Sequence, residues 1–336
     1  MRLKDSSPPG VRRVTPATLR AAAARLRRGG IVAFPTETVY GLGANALDAR
    51  AVEKIFSAKG RPGDNPVIVH VSDLRMLRRV AAKVPGKARQ LIRRFWPGPL
   101  TIVVPKRSSV PDAVTAGLPT VAVRMPDGIA RDLVRLAGVP IAAPSANLSG
   151  RPSPTTAAHV AEDFPGFFVL DGGPTTHGLE STVVAFDPPR ILRQGAVPEE
   201  DLKGFLGKKS RSAARGPRVP WAAPRFGTER PESPGTKYLH YAPLRPLILF
   251  RRRSALLAYA GSHPDALVLC PAWLAPFFAS WRVVPLGDTI EEIARNLFAA
   301  LRTPQKGREL LVLAVPRRGL GRAVMDRLER AASRIV

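Results

Sequence analysis

The stretch from Gly29 to Val71 constrains the fold more than any other part of the sequence. It places two short apolar runs, residues 31–34 and 67–71, around a polar loop, a helical pattern and a basic loop. Apolar runs of this length, bounded by Gly and Pro, are typical of buried strands. Pro35 follows the first run and has no N–H to give a neighbouring strand, so the strand ends there. The chain is therefore expected to be a mixed α/β protein.

The segment between these two strands has the composition of a binding site. Its first loop is rich in hydroxyl groups and contains Gly41 and Gly43, where a backbone without Cβ atoms can approach a ligand closely. Asp48 can cap a helix that runs to about Ala58. Lys59-Gly60-Arg61-Pro62 then places two cations on either side of a glycine. A polar loop and a basic loop around one helix fit a ligand site better than a plain core.

Length and charge suggest two domains and anionic partners. A chain of 336 residues is long for one domain. A formal net charge of +26 favours partners such as nucleotides, RNA or phosphates. A solvated Arg-rich surface accounts for the same charge equally well. The cations are spread along the chain and concentrate only mildly around residues 208–218, so charge alone does not establish RNA binding.

Several kinds of site are disfavoured. Cys270 is the single cysteine, so there is no internal disulfide and no cysteine-based metal site. The five histidines lie far apart without metal-binding spacing, and we expect no metal site formed by the protein. No apolar run reaches the ~20 residues needed to span a bilayer, and the first residues lack the apolar core of a secretory signal. We expect a cytoplasmic protein without membrane contact.

We divide the chain into a catalytic domain of residues 1–206, a linker of residues 207–243 and a second domain of residues 244–336. Many short strands and helices predict a mixed sheet for the first domain. The linker is rich in Pro, Gly, Arg and Ser without periodicity, which predicts a mobile segment. In the second domain, apolar runs alternate with helical patterns, which predicts a small doubly wound sheet. It carries no glycine-rich dinucleotide motif.

Four local predictions can be checked directly against a structure. Residues 1–14 look like a loose lead-in, and Thr15 with the proline after it starts a helix. Ser72 is expected to cap a helix that continues to Val84. In the second domain, a helix with apolar residues at helical spacing follows Thr289.

Three sets of polar residues could carry chemistry. Lys59 and Arg61 can both reach one polyphosphate, although a solvated pair after a helix is the more common arrangement. Ser145 and Asn147 follow an apolar strand and can bind a ligand or simply close a turn. Arg124 ends an apolar strand and needs a partner, which is either a ligand carboxylate or a Glu or Asp of the protein. The residues alone leave these alternatives open.

Other features are equally ambiguous. His70 lies within an apolar strand, where a satisfied core histidine is the favoured interpretation. The loops at residues 171–173 and 178–182 lead into strands and could be plain hairpins. No Gly-x-Ser-x-Gly motif surrounds Ser145, which disfavours a serine hydrolase, and a Walker loop is absent.

Taken in order, the motifs closely resemble those of the YrdC-like family of threonylcarbamoyl-AMP synthases. The motifs are PTETVYGLG (35–43), KGRP (59–62), NPVIVHV (65–71), FWPGPLT (95–101), VAVRMP (121–126), APSANLSG (143–150) and GLESTVV (178–184). The segment SPGTKYLHYAP (233–243) resembles the linker signature of the family's longer form. The resemblance implies a YrdC-like mixed twisted sheet followed by a small Rossmann-like C-terminal domain.

The family resemblance also implies a reaction. L-threonine, bicarbonate and ATP would give threonylcarbamoyl-AMP and pyrophosphate, so the protein would be a nucleotidyltransferase. The product would pass to a downstream tRNA threonylcarbamoyl transferase for modification of tRNA. Such chemistry needs positioning and charge neutralisation more than a protein nucleophile, so the absence of a catalytic triad is expected.

Residue roles follow from matching positions in the family motifs. The signature polar tetrad comprises Lys59, Arg61, Ser145 and Asn147, with Lys59 and Arg61 on the phosphates and Mg²⁺ sharing their charge. The remaining assignments place a nucleotide and an amino acid side by side. ATP would also be bound by Ser145, Thr120, Ser153, Arg193 and Tyr241. L-threonine would be bound by Thr36, His70, Arg124 and Ser181, with Arg124 on the carboxylate.

Tyr241 would reach back to the nucleotide, so that the linker acts as a lid. The sequence departs from the family pattern at Thr236 and Leu239, where the family commonly has Met and Arg. Residues 175–177 also differ from the usual Cys-Arg-Val.

Two other functions remain as alternatives. An RNA-binding or RNA-maturation protein would account for the charge, but RNP, KH and zinc-knuckle motifs are absent. A carbamoyltransferase or hydrolase component could use a related domain to hand a carbamoyl-adenylate to another acceptor. Proteins of that kind usually carry zinc-finger or acylphosphatase-like segments, and this chain has neither. Direct contact with tRNA or other RNA stays open under any of these functions.

Overall fold

The computed structural model describes residues 8–206, 241–278, 281–303 and 309–336. Within these ranges the chain forms a ten-stranded sheet and a separate five-stranded sheet. We call these, with their helices, the first unit and the second unit. The predicted linker of residues 207–243 lies outside the described residues except for its last three. In the part of the chain described, no helix is both long enough and apolar enough to cross a bilayer.

The first sheet mixes parallel and antiparallel neighbours, as predicted. Its strands are β1 (Val11–Arg13), β2 (Val32–Phe34), β3 (Gly41–Asn45), β4 (Val69–His70), β5 (Leu100–Pro105), β6 (Thr120–Arg124), β7 (Ile141–Ala142), β8 (Val169–Asp171), β9 (Thr182–Phe186) and β10 (Pro189–Arg193). Their spatial order is β1-β8-β2-β3-β7-β4-β6-β5-β9-β10. Strands distant in sequence therefore become neighbours at the centre, where β4 pairs with both β6 and β7.

Helices cover both faces of this sheet. They are α1 (Pro16–Arg27), α2 (Ala49–Lys59), α3 (Leu74–Val80), α4 (Gly86–Phe95), α5 (Asp112–Thr115), α6 (Gly128–Ala137), α7 (Ala157–Asp163) and α8 (Glu199–Leu206). A large apolar cluster joins α1, α3, α4, α6 and α8 to the sheet. A smaller cluster joins α2 and α7 to β2, β3 and β8. Helices α2 and α7 therefore pack against the same three strands, next to the centre of the sheet.

The second sheet is parallel at every pairing. It contains β11 (Leu247–Phe250), β12 (Leu267–Cys270), β13 (Arg282–Pro285), β14 (Leu310–Leu313) and β15 (Arg334–Ile335) in the order β13-β12-β14-β11-β15. Its α-helices are α9 (Arg253–Gly261), α10 (Ile290–Arg302) and α11 (Gly321–Ala331), and a short 3₁₀ helix spans Ala272–Phe278. In the dinucleotide-binding order the first two strands are neighbours, whereas here β14 separates β11 from β12.

Side chains that alternate between the two faces of each strand explain why helices cover both faces of this sheet. Leu247 and Leu249 join the cluster of α10 and α11, while Ile248 and Phe250 join the cluster of α9 and the 3₁₀ helix. Successive strand residues face opposite sides, so one apolar strand serves two cores. The predicted doubly wound sheet is confirmed.

The helix caps predicted from single residues are also confirmed. Thr15 caps α1 in a capping box, and Asp48 caps α2 by accepting a hydrogen bond from the Ala51 N–H. Thr289 caps α10 in a second capping box with Glu292. Each cap satisfies backbone donors that the first helical turn leaves unpaired.

Three local predictions were wrong. The lead-in contains an ordered strand, because Val11–Arg13 pairs with β8 and the Val11 side chain is buried. A three-residue edge strand with one apolar side chain is too short to show the alternating pattern by which a strand is predicted from sequence. Asp73 rather than Ser72 caps α3, and this helix ends at Val80 because the next residue is extended and bridges Lys106.

The third error concerns the hydroxyl-rich loop. Its second half is the strand β3, antiparallel to β2. At Gly43 a Cβ would lie 2.6 Å from the Phe34 ring and 2.8 Å from Ile141. This glycine is therefore needed for side-chain packing rather than for approach to a ligand.

Candidate active site

A cavity of about 70 Å³ opens beside the centre of the first sheet and is closed on one side by the second unit. Ten of the twelve residues predicted from the sequence line it. They are Thr36, Arg61, His70, Arg124, Ser145, Asn147, Ser153, Ser181, Arg193 and Tyr241. The strand order brings these motifs together, since β4, β6 and β7 are adjacent and each carries or precedes one of them.

Lys59 does not line the cavity. It is the last residue of α2 and only 3% exposed, and its Nζ donates a 2.6 Å hydrogen bond to the Ser145 backbone oxygen. A second hydrogen bond goes to the Asn147 backbone oxygen. Burial, followed by the charge of Arg61, holds the Lys59 pKa well below its usual range. Lys59 thus supports the Ser145–Asn147 turn from behind, and contact with phosphate would require Nζ to leave these carbonyls.

Thr120 also lies away from the cavity. It begins β6 and Arg124 ends it, so the two are separated by about 13 Å along the strand. The cavity lies at the Arg124 end. The nucleotide role of Thr120 therefore stays a prediction to which the cavity adds no support.

The Ser145–Asn147 turn is internally hydrogen-bonded. The Ser145 hydroxyl donates to the Asn147 Oδ1 at 2.5 Å. The Asn147 Nδ2 donates to the backbone oxygens of Leu148 and Arg151 at 2.8 and 2.9 Å. The turn-closing alternative is thus realised, and both side chains still face the cavity. Because these hydrogen bonds fix the turn, the Ser145 hydroxyl is already in place for a ligand.

Arg61 enters the cavity from the loop after α2. Gly60 ends that helix in the left-handed conformation, with φ of 56°. The Arg61 guanidinium donates to the backbone oxygens of Asn65 and Pro66 at 3.2 and 3.0 Å. These hydrogen bonds hold the planar fork at the cavity wall, where it can meet an anion.

The partner of Arg124 is a residue of the protein. Its Nη2 lies 2.6 Å from the Glu37 Oε1, its Nη1 donates to the Thr38 hydroxyl at 2.9 Å, and its Nε donates to the Gly98 backbone oxygen at 3.1 Å. Neither Glu37 oxygen receives a well-aligned hydrogen bond from the described residues. The pair is therefore held by charge, and an incoming carboxylate could compete with Glu37 for the same guanidinium.

His70 is a neutral, buried imidazole beside Arg124. Burial, reinforced by the charge of Arg124, lowers the His70 pKa to about 3. The ring meets Phe34 edge-on at a centroid distance of 6.4 Å. Among the described residues, no group hydrogen-bonds to its Nδ1. The ring also interacts with the backbone of Ile141 and Ile68, so Nδ1 is the atom that a ligand could engage.

The cavity wall also carries a carboxylate, Glu180, to which the sequence analysis gave no role. The Ser153 hydroxyl donates to the Glu180 Oε1 at 2.6 Å. Burial favours the neutral acid, but the charges of Arg327 and Arg193 and this hydrogen bond hold the Glu180 pKa down at about 2. Arg193 donates to the Ser181 backbone oxygen at 2.9 Å and to its hydroxyl at 3.1 Å. Glu180 is therefore ionised, and it organises two predicted ligand residues.

Tyr241 closes the cavity from the side of the second unit. It has a positive φ of 67°, is 4% exposed and stacks on Phe298 of α10 at 5.2 Å between ring centroids. Burial raises the pKa of its phenol to about 12. The structure thus places the end of the predicted lid segment against the site. The rest of that segment lies outside the described residues.

Sequence reasoning missed Glu37, Glu180 and Arg327 as members of the site. Glu37 and Glu180 fall within motifs that were noted, but their partners lie far away in sequence. For Arg327 a signal exists, because helical spacing puts it with Val324 and Leu328 on the buried face of α11. A charge at such a position needs a buried partner.

The comparisons with known proteins cover the whole of the described fold. A family model described as "Telomere recombination" (Sua5_yciO_yrdC) matches residues 24–195. A second, described as "Threonylcarbamoyl-AMP synthase, C-terminal domain", matches residues 197–333. The two matches follow one another along the chain; the first contains nine of the ten strands of the first sheet, and the second contains four of the five strands of the second sheet.

Individual relatives are similar over nearly their full length. The threonylcarbamoyl-AMP synthase of Pyrococcus abyssi is 46% identical over 328 residues, which are 94% of each chain. That of Bacillus subtilis is 43% identical over 326 residues, covering 93% of this chain and 92% of its own. A crystal structure of P. abyssi Sua5 complexed with L-threonine superposes with a TM-score of 0.87 at 44% identity, covering 98% of both chains.

Proposed function

The chain belongs to the family of threonylcarbamoyl-AMP synthases, and from that premise we propose how its cavity carries out the reaction. The family reaction joins L-threonine, bicarbonate and ATP into threonylcarbamoyl-AMP and pyrophosphate. The observation that carries the proposal is the meeting, in one cavity, of a carboxylate-binding arginine with polar groups suited to a nucleotide.

We assign the Arg124 side of the cavity to threonine. The substrate carboxylate takes the guanidinium now paired with Glu37. His70 and Ser181 lie on the same side and offer a neutral imidazole and a hydroxyl. The uncharged imidazole is suited to this place because a second cation beside Arg124 would repel the substrate ammonium group.

We assign the opposite side to ATP. Arg61 faces the phosphates, and Ser145, Ser153, Arg193 and Tyr241 surround the rest of the nucleotide. The threonine amine and bicarbonate form a carbamate with loss of water, and one carbamate oxygen attacks the α-phosphorus as pyrophosphate leaves. This displacement depends on alignment and on neutralising charge, so a fixed turn and a fixed guanidinium are sufficient protein contributions.

Magnesium fits the site only as a companion of ATP. No cluster of three or more His, Cys, Asp or Glu among the described residues could hold a metal ion. Glu180 lines the cavity, Glu37 adjoins it between Thr36 and Thr38, and each is paired with an arginine. We therefore expect the phosphate oxygens to supply most ligands of Mg²⁺, which would share the phosphate charge with Arg61.

Product analysis tests this proposal. The full-length protein is incubated with ATP, Mg²⁺, labelled bicarbonate and L-threonine, and the products are separated and identified by mass. We expect a labelled threonylcarbamoyl-adenylate and one pyrophosphate for each adenylate, with neither formed when threonine or bicarbonate is omitted. Arg124→Ala should abolish the threonine-dependent formation of the adenylate. Pyrophosphate release that does not depend on threonine would refute the assignment of the Arg124 side to threonine.

Downstream partners are a separate proposal. The adenylate would be passed to a tRNA threonylcarbamoyl transferase, and the basic surface of α3 and α4 could bring tRNA close. Residues 74–111 contain ten Lys and Arg and no Asp or Glu, and most of these cations are exposed. If RNA binds there, its affinity should fall steeply as salt rises from 50 to about 200 mM. Charge reversal at Arg89 and Arg93 should flatten that dependence, whereas reversal at Arg251 and Arg252 should not.

A further inference from the structure

The second unit meets the first through two buried arginines. Arg327 of α11 is 0% exposed, and its Nε and Nη2 donate to the Glu180 Oε2 at 3.1 and 3.0 Å. The side chain of Arg302, the last residue of α10, is 4% exposed, and its Nη2 lies 2.5 Å from the Asp163 Oδ2. Both carboxylates belong to the first unit; Glu180 lines the cavity, and Asp163 lies behind its wall.

From Arg327 the contacts lead to the predicted nucleotide residues. Glu180 receives Arg327 on one carboxylate oxygen and the Ser153 hydroxyl on the other. Arg327 also donates from Nη1 to the Gln194 backbone oxygen at 2.6 Å, next to Arg193. Its guanidinium lies 5.7 Å from the Tyr241 ring centroid. Arg327 thus contacts Tyr241 directly and orients Ser153 through Glu180 and Arg193 through Gln194.

From Arg302 the contacts lead to the same loop. Its Nε and Nη2 donate to the Pro152 backbone oxygen at 2.9 and 2.7 Å. Asp163 accepts a hydrogen bond from the Leu148 N–H and pairs with Arg151. The Arg151 backbone oxygen in turn accepts from the Asn147 side chain. Both arginines therefore act on residues 145–153, Arg327 through Glu180 and Ser153, and Arg302 through Pro152 and Asp163.

Other contacts besides these buried charges also join the two units. At the rim, Arg322 pairs with Glu200 at 2.7 Å while remaining partly exposed. Apolar contacts also join the units, since Val39 and Leu179 belong to the cluster of α10 and α11. A fully buried arginine is costly unless its partners are ordered, and apolar residues would serve docking better. The contact of Arg327 with Glu180, which lines the cavity, points to a role in the site.

We propose that Arg302 and Arg327 are positioning residues that fix the 145–153 loop for ATP, so that the nucleotide side of the cavity is complete only when the second unit is docked. The inference rests on the proposed function. It makes the second unit part of the substrate site rather than a cover over it. The effect acts through Glu180 and Asp163, because neither arginine lines the cavity.

Kinetics of single variants test the proposal. Arg327→Met and Arg302→Met should each raise the KM for ATP at least tenfold, while kcat per active site, counted by titration, stays within about threefold. Arg327→Lys should recover part of the affinity, because lysine keeps the charge but cannot reach Glu180 and Gln194 together. Arg322→Gln, the matched control at the interface rim, should leave the KM unchanged.

Equilibrium titration with ATP separates this inference from the proposed function, because it needs no turnover. Weaker ATP binding by both Met variants, with wild-type binding by Arg322→Gln, supports the positioning role even if no adenylate is formed. If Arg327→Lys and Arg302→Met melt like the wild type and bind ATP with unchanged affinity, the proposal is overturned. A uniform loss of active molecules with unchanged KM would show that the arginines only stabilise the fold.

Discussion

At the scale of single residues, the cavity is organised by arginines whose partners decide what they can do. The sequence established that Arg124 needs a partner but left open whether a ligand or the protein supplies it. The structure identifies Glu37, which no local pattern could reveal, because the pair forms only when β6 lies beside the loop after β2. The same holds for Lys59, whose cationic character was evident but whose two carbonyl partners were not.

The Glu37–Arg124 pair makes a prediction about substrate affinity. Glu37 occupies the guanidinium that the threonine carboxylate is proposed to take, so substrate must displace it. Glu37→Gln removes the competing charge and should lower the KM for threonine about three- to tenfold, equivalent to about 1 kcal/mol. Steady-state kinetics at saturating ATP measure it. Glu200→Gln, which breaks a Glu–Arg pair outside the cavity, is the control. A raised KM would mean that Glu37 binds the substrate itself.

His70 makes a prediction about pH. Its pKa is about 6.5 in the unfolded chain and about 3 in the fold, so between these values the unfolded state binds the extra proton. Stability is then fully present above pH 6.5 and is lost as pH falls, by about 2 kcal/mol between pH 7 and 5. Urea unfolding at both pH values should show this loss in the wild type.

The contribution of His70 is isolated by comparison with His70→Gln. The variant should lose about 2 kcal/mol less than the wild type over the same interval, because it has no imidazole to protonate. His159→Gln is an informative second variant, since burial lowers that pKa to about 4 as well. Equal pH dependence in wild type and His70→Gln would show that the imidazole is not buried in its neutral form.

At the scale of elements, caps and apolar periodicity allowed most helices and strands to be predicted to within a few residues. Thr15, Asp48 and Thr289 cap the helices expected of them. The failures occur where tertiary pairing supplies what the local sequence lacks, as in β1, which has one buried side chain and exists because β8 lies beside it. The strand order that builds the cavity is of this kind. It depends on pairings between distant segments that one sequence does not display.

One glycine shows how closely two elements approach. Gly178 has φ of 68°, and a Cβ there would lie 2.4 Å from the backbone of Arg295 in α10. Gly178→Ala should force the units apart, lowering the melting temperature by several degrees and raising the KM for ATP. Gly173 is the matched control, because its φ is 81° but no atom lies within 4 Å of its Cβ position. Gly173→Ala should cost only the backbone strain, about 1 kcal/mol.

The comparison of these two variants isolates the interface from the backbone conformation. Both substitutions place alanine at a positive φ, so any excess effect of Gly178→Ala comes from the contact with α10. Thermal unfolding and ATP kinetics on both proteins measure it. Identical behaviour of the two would contradict the view that close docking of the units completes the site.

At the scale of the whole molecule, the second sheet carries no nucleotide fingerprint but completes the nucleotide side of the first. Its α10 and α11 present an apolar face to the first unit, and Tyr241 is sandwiched there against Phe298. The sequence predicted a two-part chain with a lid, because composition and the order of motifs can be read directly from the sequence. The depth to which Arg327 enters could not be predicted, because it depends on how the two units dock.

The measurement that tests the central claim most directly is a crystal structure of the full chain with L-threonine and an ATP analogue in which a methylene group bridges the α- and β-phosphates. We predict that both ligands occupy the cavity of the first unit. The threonine carboxylate should lie on Arg124 with Glu37 turned away, and the α-phosphate should lie near Ser145 with its triphosphate toward Arg61. A nucleotide bound instead at the edge of the parallel sheet of the second unit, or threonine away from Arg124, would contradict the account.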